Sequence, residues 1–267
     1  MRCVVAVLLS VAAAVLAAPG TANAAPTRVG YDVSYPQCGT PLPTDRAFAV
    51  VGVNGGLSTR ANPCLADQLT WAWGSSGVVL SQPKAQLYLN TANPGEIRDQ
   101  VTTWPSTGAT PYGGCDGGNT MACSWQYGYE RAQNSVISFF TPAAQAAQVD
   151  SRPDRYTWWL DVETTNTWQS GSTTALAHNR ATLEGMTAYL RSRNAVVGLY
   201  STRQQWAQIV GAVRPRSILA GRPAWLAGST SLSAATAACY PPPLTPRGRV
   251  TLNQYVVSGL DRNYSCR

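Results

Sequence analysis

The amino-acid sequence predicts an α/β fold in which a single domain closes its parallel strands into a barrel wrapped by helices. Three observations lead there. Short runs rich in β-branched and aromatic residues alternate with stretches of helical periodicity, the pattern of a parallel sheet covered by helices. Seven or eight such runs in 267 residues suit one closed barrel better than an open, doubly wound sheet. No Gly-x-Gly-x-x-Gly follows any of the strands, so a dinucleotide-binding sheet is not indicated.

The elements follow in order. Arg2, the apolar run from Val4 to Ala18 and the small-residue site Ala22-Asn23-Ala24 read as a secretory signal peptide over residues 1–24. That run is short for a membrane span, and nothing later resembles one. The mature chain, 25–267, is therefore expected outside the cell, without a membrane anchor and as a monomer. Arg28 to Tyr35 and Phe48 to Val53 read as strands, and Pro63 to Trp73 as a helix. Lys84 to Thr91 is strand-like and stops at the turn signal Asn93-Pro94-Gly95. Trp104 to Asn119, rich in Gly, Thr and Pro, is expected as a long loop, and Ser124 to Phe140 as a helix. Then come strand Tyr156 to Glu163, helix Thr174 to Arg193, strand Ala195 to Ser201, helix Gln204 to Val210 and strand Ala224 to Gly228. Tyr240-Pro-Pro-Pro243 excludes regular structure, and Val250 to Val257 is the last strand expected.

Of seven cysteines, Cys3 lies in the leader, which leaves Cys38, Cys64, Cys115, Cys123, Cys239 and Cys266. An even number in an exported chain argues for disulfides. Many pairings are open to six cysteines; the expectation here is Cys38–Cys64, Cys115–Cys123 across a Gly-rich loop, and Cys239–Cys266. Zinc is the rival reading, but there is no Cys-x-x-Cys and His178 is the only histidine. No metal or organic cofactor is expected. The formal charge is +7, almost all from scattered arginines, with Lys84 the only lysine. Scattered charge does not argue for nucleic acid, whereas a cationic exported chain suits anionic envelope polymers.

The most informative stretch is Tyr156-Thr-Trp-Trp-Leu-Asp161-Val-Glu163. On an extended strand, Asp161 and Glu163 leave the same face with α-carbons about 7 Å apart. Two readings suit the pair. One is a salt-bridged strand end; the other is two carboxyls whose repulsion raises one pKa, as acid catalysis requires. Placement adds weight to the second. In a parallel barrel, functional groups gather at the C-terminal ends of strands. Asp32, Asn90, Asp161, Glu163, Tyr200 and Gln254 all lie late in their strands. Trp168, in the Thr- and Asn-rich loop beyond the acids, serves either as a sugar-stacking platform or as a packing residue. Trp158 and Trp159, in mid-strand, are expected in the core. His178 begins a polar helical turn expected on the surface, which leaves no base for a Ser-His-Asp triad.

The motifs Gly30-Tyr-Asp32-Val-Ser34-x-x-Gln37, Trp159-Leu-Asp161-Val-Glu163, Gly198-Leu-Tyr200-Ser-Thr, Ala224-Trp225-Leu-Ala, Asn253-Gln254-Tyr255 and Asp261-Arg-Asn263 occur in that order. In this respect the chain resembles the family 25 glycoside hydrolases, secreted muramidases with an irregular (β/α) barrel of the TIM-like glycosidase type. The resemblance runs from about Arg28 to Asn263. It implies cleavage of the β-1,4 bond after N-acetylmuramic acid in bacterial peptidoglycan, so that cell-wall glycan is the expected partner. It puts the catalytic acid on Glu163, an ionised electrostatic partner on Asp161, and further site acids on Asp32 and Asp261. Asp32 is grouped with the catalytic residues; Asp261, Asn90, Tyr200, Gln254 and Trp168 are expected to bind substrate. Three departures fall on the rim: Tyr35-Pro36 stands where the family has His-Trp, Tyr88-Leu89-Asn90 replaces an aromatic pair, and the connection from Gly95 to Arg155 is longer than the resemblance implies. Two other functions are compatible with the chain. One is an idle barrel that binds wall glycan, the other a hydrolase of a different polysaccharide.

Overall fold

Alternating side chains divide each strand into an outer face that packs under helices and an inner face that fills a barrel. The computed structural model describes residues 28–267, so the expected leader lies outside the described residues. The barrel strands are β1 (Val29–Val33), β2 (Ala49–Gly52), β3 (Ala85–Asn90), β4 (Thr157–Asp161), β5 (Val196–Ser201), β6 (Pro223–Ser229), β7 (Arg249–Val257) and β8 (Leu260–Ser265). They close in the order β1-β8-β7-β6-β5-β4-β3-β2. Neighbours from β1 through β7 are parallel. β8 runs antiparallel to both β7 and β1 and supplies the closure.

This corrects an all-parallel expectation that ended at Val257. Ser258 and Gly259, with φ of 53° and 75°, form a two-residue turn that sends the chain straight back. β8 then alternates Asp261, Asn263 and Ser265 with Arg262 and Tyr264. β4 ends at Asp161 rather than Glu163, although the Val162 amide still donates to the Tyr200 carbonyl at 2.9 Å.

The helices are α1 (Leu65–Trp73), α2 (Met121–Asn134), α3 (Thr141–Ala146), α4 (Thr173–Ser192), α5 (Arg203–Ile209) and α6 (Leu232–Ala237). α2 and α3 are joined by a π-helical stretch, Ser135–Phe140, so helical backbone continues past Phe140, where it was expected to stop. Pro142 has no amide hydrogen to donate, and the wider stretch lies immediately before it. Within the expected long loop, Ala109–Thr110 and Gly113–Gly114 form a small hairpin. The three disulfides are Cys38–Cys64, Cys115–Cys123 and Cys239–Cys266, as expected from the sequence.

Outer-face residues Val51, Leu87, Leu89, Trp158, Leu160, Val197 and Leu199 pack with Leu69, Phe140, Leu183 and Leu190 of the helical layer. Inside the barrel, Phe48, Val50, Trp159, Trp225 and Leu252 form a separate apolar layer. Below it lies a satisfied polar chain: Trp159 Nε1 donates to Gln86 at 2.8 Å, Gln86 to Gln82 at 3.0 Å, and Gln82 to Ser265 at 3.1 Å.

α2 rests on α4 at backbone distance. A Cβ on Gly128 would stand 2.0 Å from the Thr182 carbonyl oxygen, and one on Gly185 2.0 Å from that of Trp125. Carbonyls cannot step aside as side-chain tips can. Gly128→Ala should therefore cost about 3 kcal/mol or more in urea-unfolding free energy. Gly114→Ala, which opens into free space, should change it by less than about 0.5 kcal/mol. Equal stability of the two variants would refute the close helix crossing.

Candidate active site

Inner-face positions at the upper ends of the strands leave a hollow of about 240 Å³. Its lining is Asp32 from β1, Tyr88 from β3, Asp161 and Glu163 at the end of β4, Tyr200 from β5, Trp225 from β6, Gln254 from β7 and Asp261 from β8. Four carboxyl groups thus meet with no Lys, Arg or His among the lining residues. Among the described residues, none of the ion pairs involves any of the four.

Asp32 is the best supported of them. Gln254 Nε2 donates to both of its oxygens, at 3.2 and 3.1 Å, and Asn263 Nδ2 donates to Oδ2 at 2.6 Å. Asn263 lies two residues after Asp261 on the same inner face of β8. Burial, with help from the charge of Asp261, pushes the Asp32 carboxyl up to about 7 against these donors. Asp261 is itself raised by burial.

Asp161 is only 7 % exposed, and its Oδ1 is buried without a hydrogen-bond partner. Burial first, then the charges of Glu163 and Asp32, hold it well above the usual carboxylate range. Glu163 is more open and is also raised, by burial and by Asp261, while the Tyr200 hydroxyl opposes the shift. That hydroxyl lies 3.4 Å from Glu163 Oε1 and 2.8 Å from Gln254 Oε1. One expectation changes here. Burial, rather than repulsion by Asp161, is the main cause of the Glu163 shift. For Asp161, an enclosed carboxylate oxygen with no donor is poorly stabilised as an anion, which is the physical sense of its upward shift.

A second lobe of about 400 Å³ adjoins the first and shares Tyr88, Asp161 and Glu163 with it. Tyr35, Pro36, Asn54, Asn90 and Asn166 line its far side. Asn90 therefore belongs to this lobe, its amide donating to the Gly56 carbonyl at 2.6 Å. The α2 region supports the lobe from outside: Ser124 accepts from Asn93 at 3.1 Å and Ser135 from Asn54 at 2.9 Å.

Trp168 lines neither lobe. Its ring packs against the helical core, and its Nε1 donates to the Glu163 carbonyl at 3.0 Å, which steadies the backbone that carries Glu163. These contacts fit the packing reading. His178 departs from its expected surface place. It is 7 % exposed, with Nδ1 3.0 Å from Gln169 Oε1, because the 163–172 loop folds over this face of α4. Trp225 and Tyr88 entered the sequence reading only within motifs, and Asn263 only as a motif end. Their inward positions on β6, β3 and β8 follow from the two-residue strand period once the strands are set.

Among the described residues, no three His, Cys, Asp or Glu side chains are grouped to hold a metal ion. No described helix is long and apolar enough to cross a membrane. No family model and no curated protein matches the chain. The fold is similar to that of a muramidase from Trichobolus zukalii, with 15% identity, 89% of this chain and 92% of that one covered, and a TM-score of 0.50. A bacterial lysozyme from Streptomyces coelicolor aligns with 17% identity over 90% of this chain and 92% of that one, at a TM-score of 0.49. A family GH25 lysozyme from Aspergillus fumigatus aligns with 15% identity over 89% and 93%, at 0.48. The first of these likenesses shows the fold: the chain has the irregular (β/α) barrel architecture expected from its sequence.

The raised Asp32 pKa links stability to pH. Below about pH 4 the group is protonated in both folded and unfolded chains and contributes nothing. Above that the unfolded chain releases the proton and the folded chain keeps it until about pH 7, so stability falls across that window. The loss for Asp32 is of the order of 4 kcal/mol and persists at higher pH. Thermal unfolding should therefore show a lower Tm at pH 8 than at pH 5, with the gap clearly narrowed in Asp32→Asn. An unchanged gap would mean that Asp32 is not the titrating group.

Proposed function

We propose that this protein is a muramidase-type glycoside hydrolase of the family 25 kind, cutting the β-1,4 bonds of peptidoglycan outside the cell. The observation that carries the reading is the convergence of four carboxyls, without a cation, on one hollow that continues into a second across Asp161 and Glu163. Such a site suits a transition state that gains positive charge, as the oxocarbenium-like one of glycoside hydrolysis does. It would repel the oxyanion of acyl transfer and the charge of phosphoryl transfer. The motif order and the barrel fold support the same family.

Glu163 is our candidate for the acid. It lies where the two lobes meet, so sugars in the two lobes would present their linking oxygen to it. Its raised pKa keeps a proton available, and once that proton leaves, the Tyr200 hydroxyl stands ready to donate to the carboxylate. Asp161, beside Glu163 where the two lobes meet, would orient a sugar acetamido group and, as a carboxylate, stabilise the positive charge that grows at the anomeric carbon. Asp32, held by Gln254 and Asn263, offers a fixed acceptor for sugar hydroxyls or a water, with Asp261 beside it. Asn90 and its neighbours would bind the adjoining sugar. The chemistry needs two carboxyl groups and no metal or organic cofactor.

Incubating the mature protein with bacterial walls and measuring new reducing ends tests this. The parent should release them, and folded Glu163→Gln should do so about a hundred- to ten-thousand-fold more slowly. Wall retention with no reducing ends from either protein would instead identify an idle glycan binder, and release only from another glycan a different polysaccharidase. Because the protonated form of Glu163 acts, kcat/KM should fall as pH rises through its elevated pKa. Tyr200→Phe removes the hydroxyl that lowers this pKa and should move the alkaline limb to higher pH. A limb that stays put or moves down would exclude Tyr200 as the partner of the acid.

A further inference from the structure

Away from the acidic mouth, a hollow of about 370 Å³ lies between α4, the start of α2 and the loop after α5, and it shares no residue with either catalytic lobe. Three arginines line it: Arg180 on α4, and Arg214 and Arg216 on the loop. Among the described residues, none of the three enters an ion pair. One carboxylate, Glu184, is present, and both its oxygens are in use. It accepts from the Tyr112 hydroxyl at one oxygen and from Ser217 Oγ at 2.6 Å at the other. The local balance is therefore net positive, with two guanidiniums in excess.

The groups are also held in position. Arg180 Nη1 donates to the Val210 carbonyl at 2.6 Å. Pro215 fixes the backbone between the two loop arginines, and its carbonyl accepts from Arg247. The Ser217 amide donates to the Arg214 carbonyl at 3.0 Å, which closes the loop on itself. Arg214 and Arg216 remain exposed, with their forks free. Met121, the first residue of α2, also lines the hollow.

We propose that this hollow is an anion site that grips an oxyanion group, phosphate or carboxylate, on a linear anionic polymer of the cell envelope. Planar guanidinium forks match such groups in two-point contacts, and two free forks beside a third guanidinium, with the one carboxylate occupied, favour an anion over a neutral sugar. Only the source of the anion rests on the wall-directed reading above. The grip itself is independent of catalysis, and binding is best measured on Glu163→Gln protein, which cannot shorten a substrate.

In that background, binding to a poly(glycerol phosphate) and to a polygalacturonate would be titrated separately at physiological salt. At least one polymer should bind, and Arg214→Ala combined with Arg216→Ala should weaken it about tenfold or more, with an unchanged Tm. The polymer that shows this dependence names the source, phosphate or carboxylate. Arg191→Ala combined with Arg193→Ala removes the same charge elsewhere and should leave affinity within about twofold. Equal weakening by both pairs would reduce the effect to diffuse charge and overturn the site, as would binding of neither polymer. Tighter arginine-dependent binding of duplex DNA would overturn the assignment to an envelope polymer.

Discussion

Four acids in a hollow without a cation repel one another and lose the water that would stabilise their charge. The fold has to hold them together against both effects. Closure of the barrel does so, because Asp32 and Asp261 come from strands at opposite ends of the sequence, brought side by side by the pairing of β1 with β8. Donors then reach only some of the oxygens. Asp32 receives Gln254 and Asn263 and Glu163 faces Tyr200, whereas one oxygen of Asp161 has no partner. Unequal support gives each carboxyl its own proton affinity, and this would let chemically similar groups take different parts in the proposed reaction.

What lies beneath the acids keeps that arrangement stiff. Trp159 is packed against Trp225 at 5.7 Å between ring centroids, and Trp225 against Tyr200 at 4.3 Å. Gly198 makes room for the Trp159 ring, since a Cβ there would stand 2.2 Å from it. The tryptophan then reaches down to Gln86 and the glutamine chain below. An aromatic layer between a satisfied polar floor and a charged mouth leaves Tyr200 little freedom, so its hydroxyl remains within reach of both Glu163 and Gln254.

The legible and illegible parts of the sequence divide along the same faces. Outer faces are apolar, so Phe48 to Val53, Lys84 to Thr91 and Tyr156 to Glu163 stand out as strands, and the spacing of Asp161 and Glu163 reveals their common direction. β8 does not stand out, because its inner face carries Asp261, Asn263 and Ser265 and its outer face Arg262 and Tyr264. With a charge between Leu260 and Tyr264 on one side and only polar residues on the other, it lacks a continuous apolar face, and the Ser258-Gly259 turn is its clearer mark. His178 is misread for the converse reason: a polar helical face looks solvated until a loop 163–172 is laid over it. The upward shift of Asp161 comes from burial first and then from the charges of Glu163 and Asp32, a property of the assembled site that no local window contains.

The long excursion between β3 and β4 joins these features mechanically. Its helix α2 sits on α4 with glycine backbones in contact, and from there Ser124 and the following Ser135 brace Asn93 and Asn54 behind the second lobe. The start of the same helix forms one wall of the arginine hollow. One rigid element therefore borders both an acidic groove and a basic flank. Under the function and the anion site proposed above, an anionic chain would be repelled by the first and attracted by the second, so the field would favour an approach with the anion towards the flank and the neutral glycan towards the acids. Opposite charges on one stiff body would thus orient a polymer before any sugar enters the hollow.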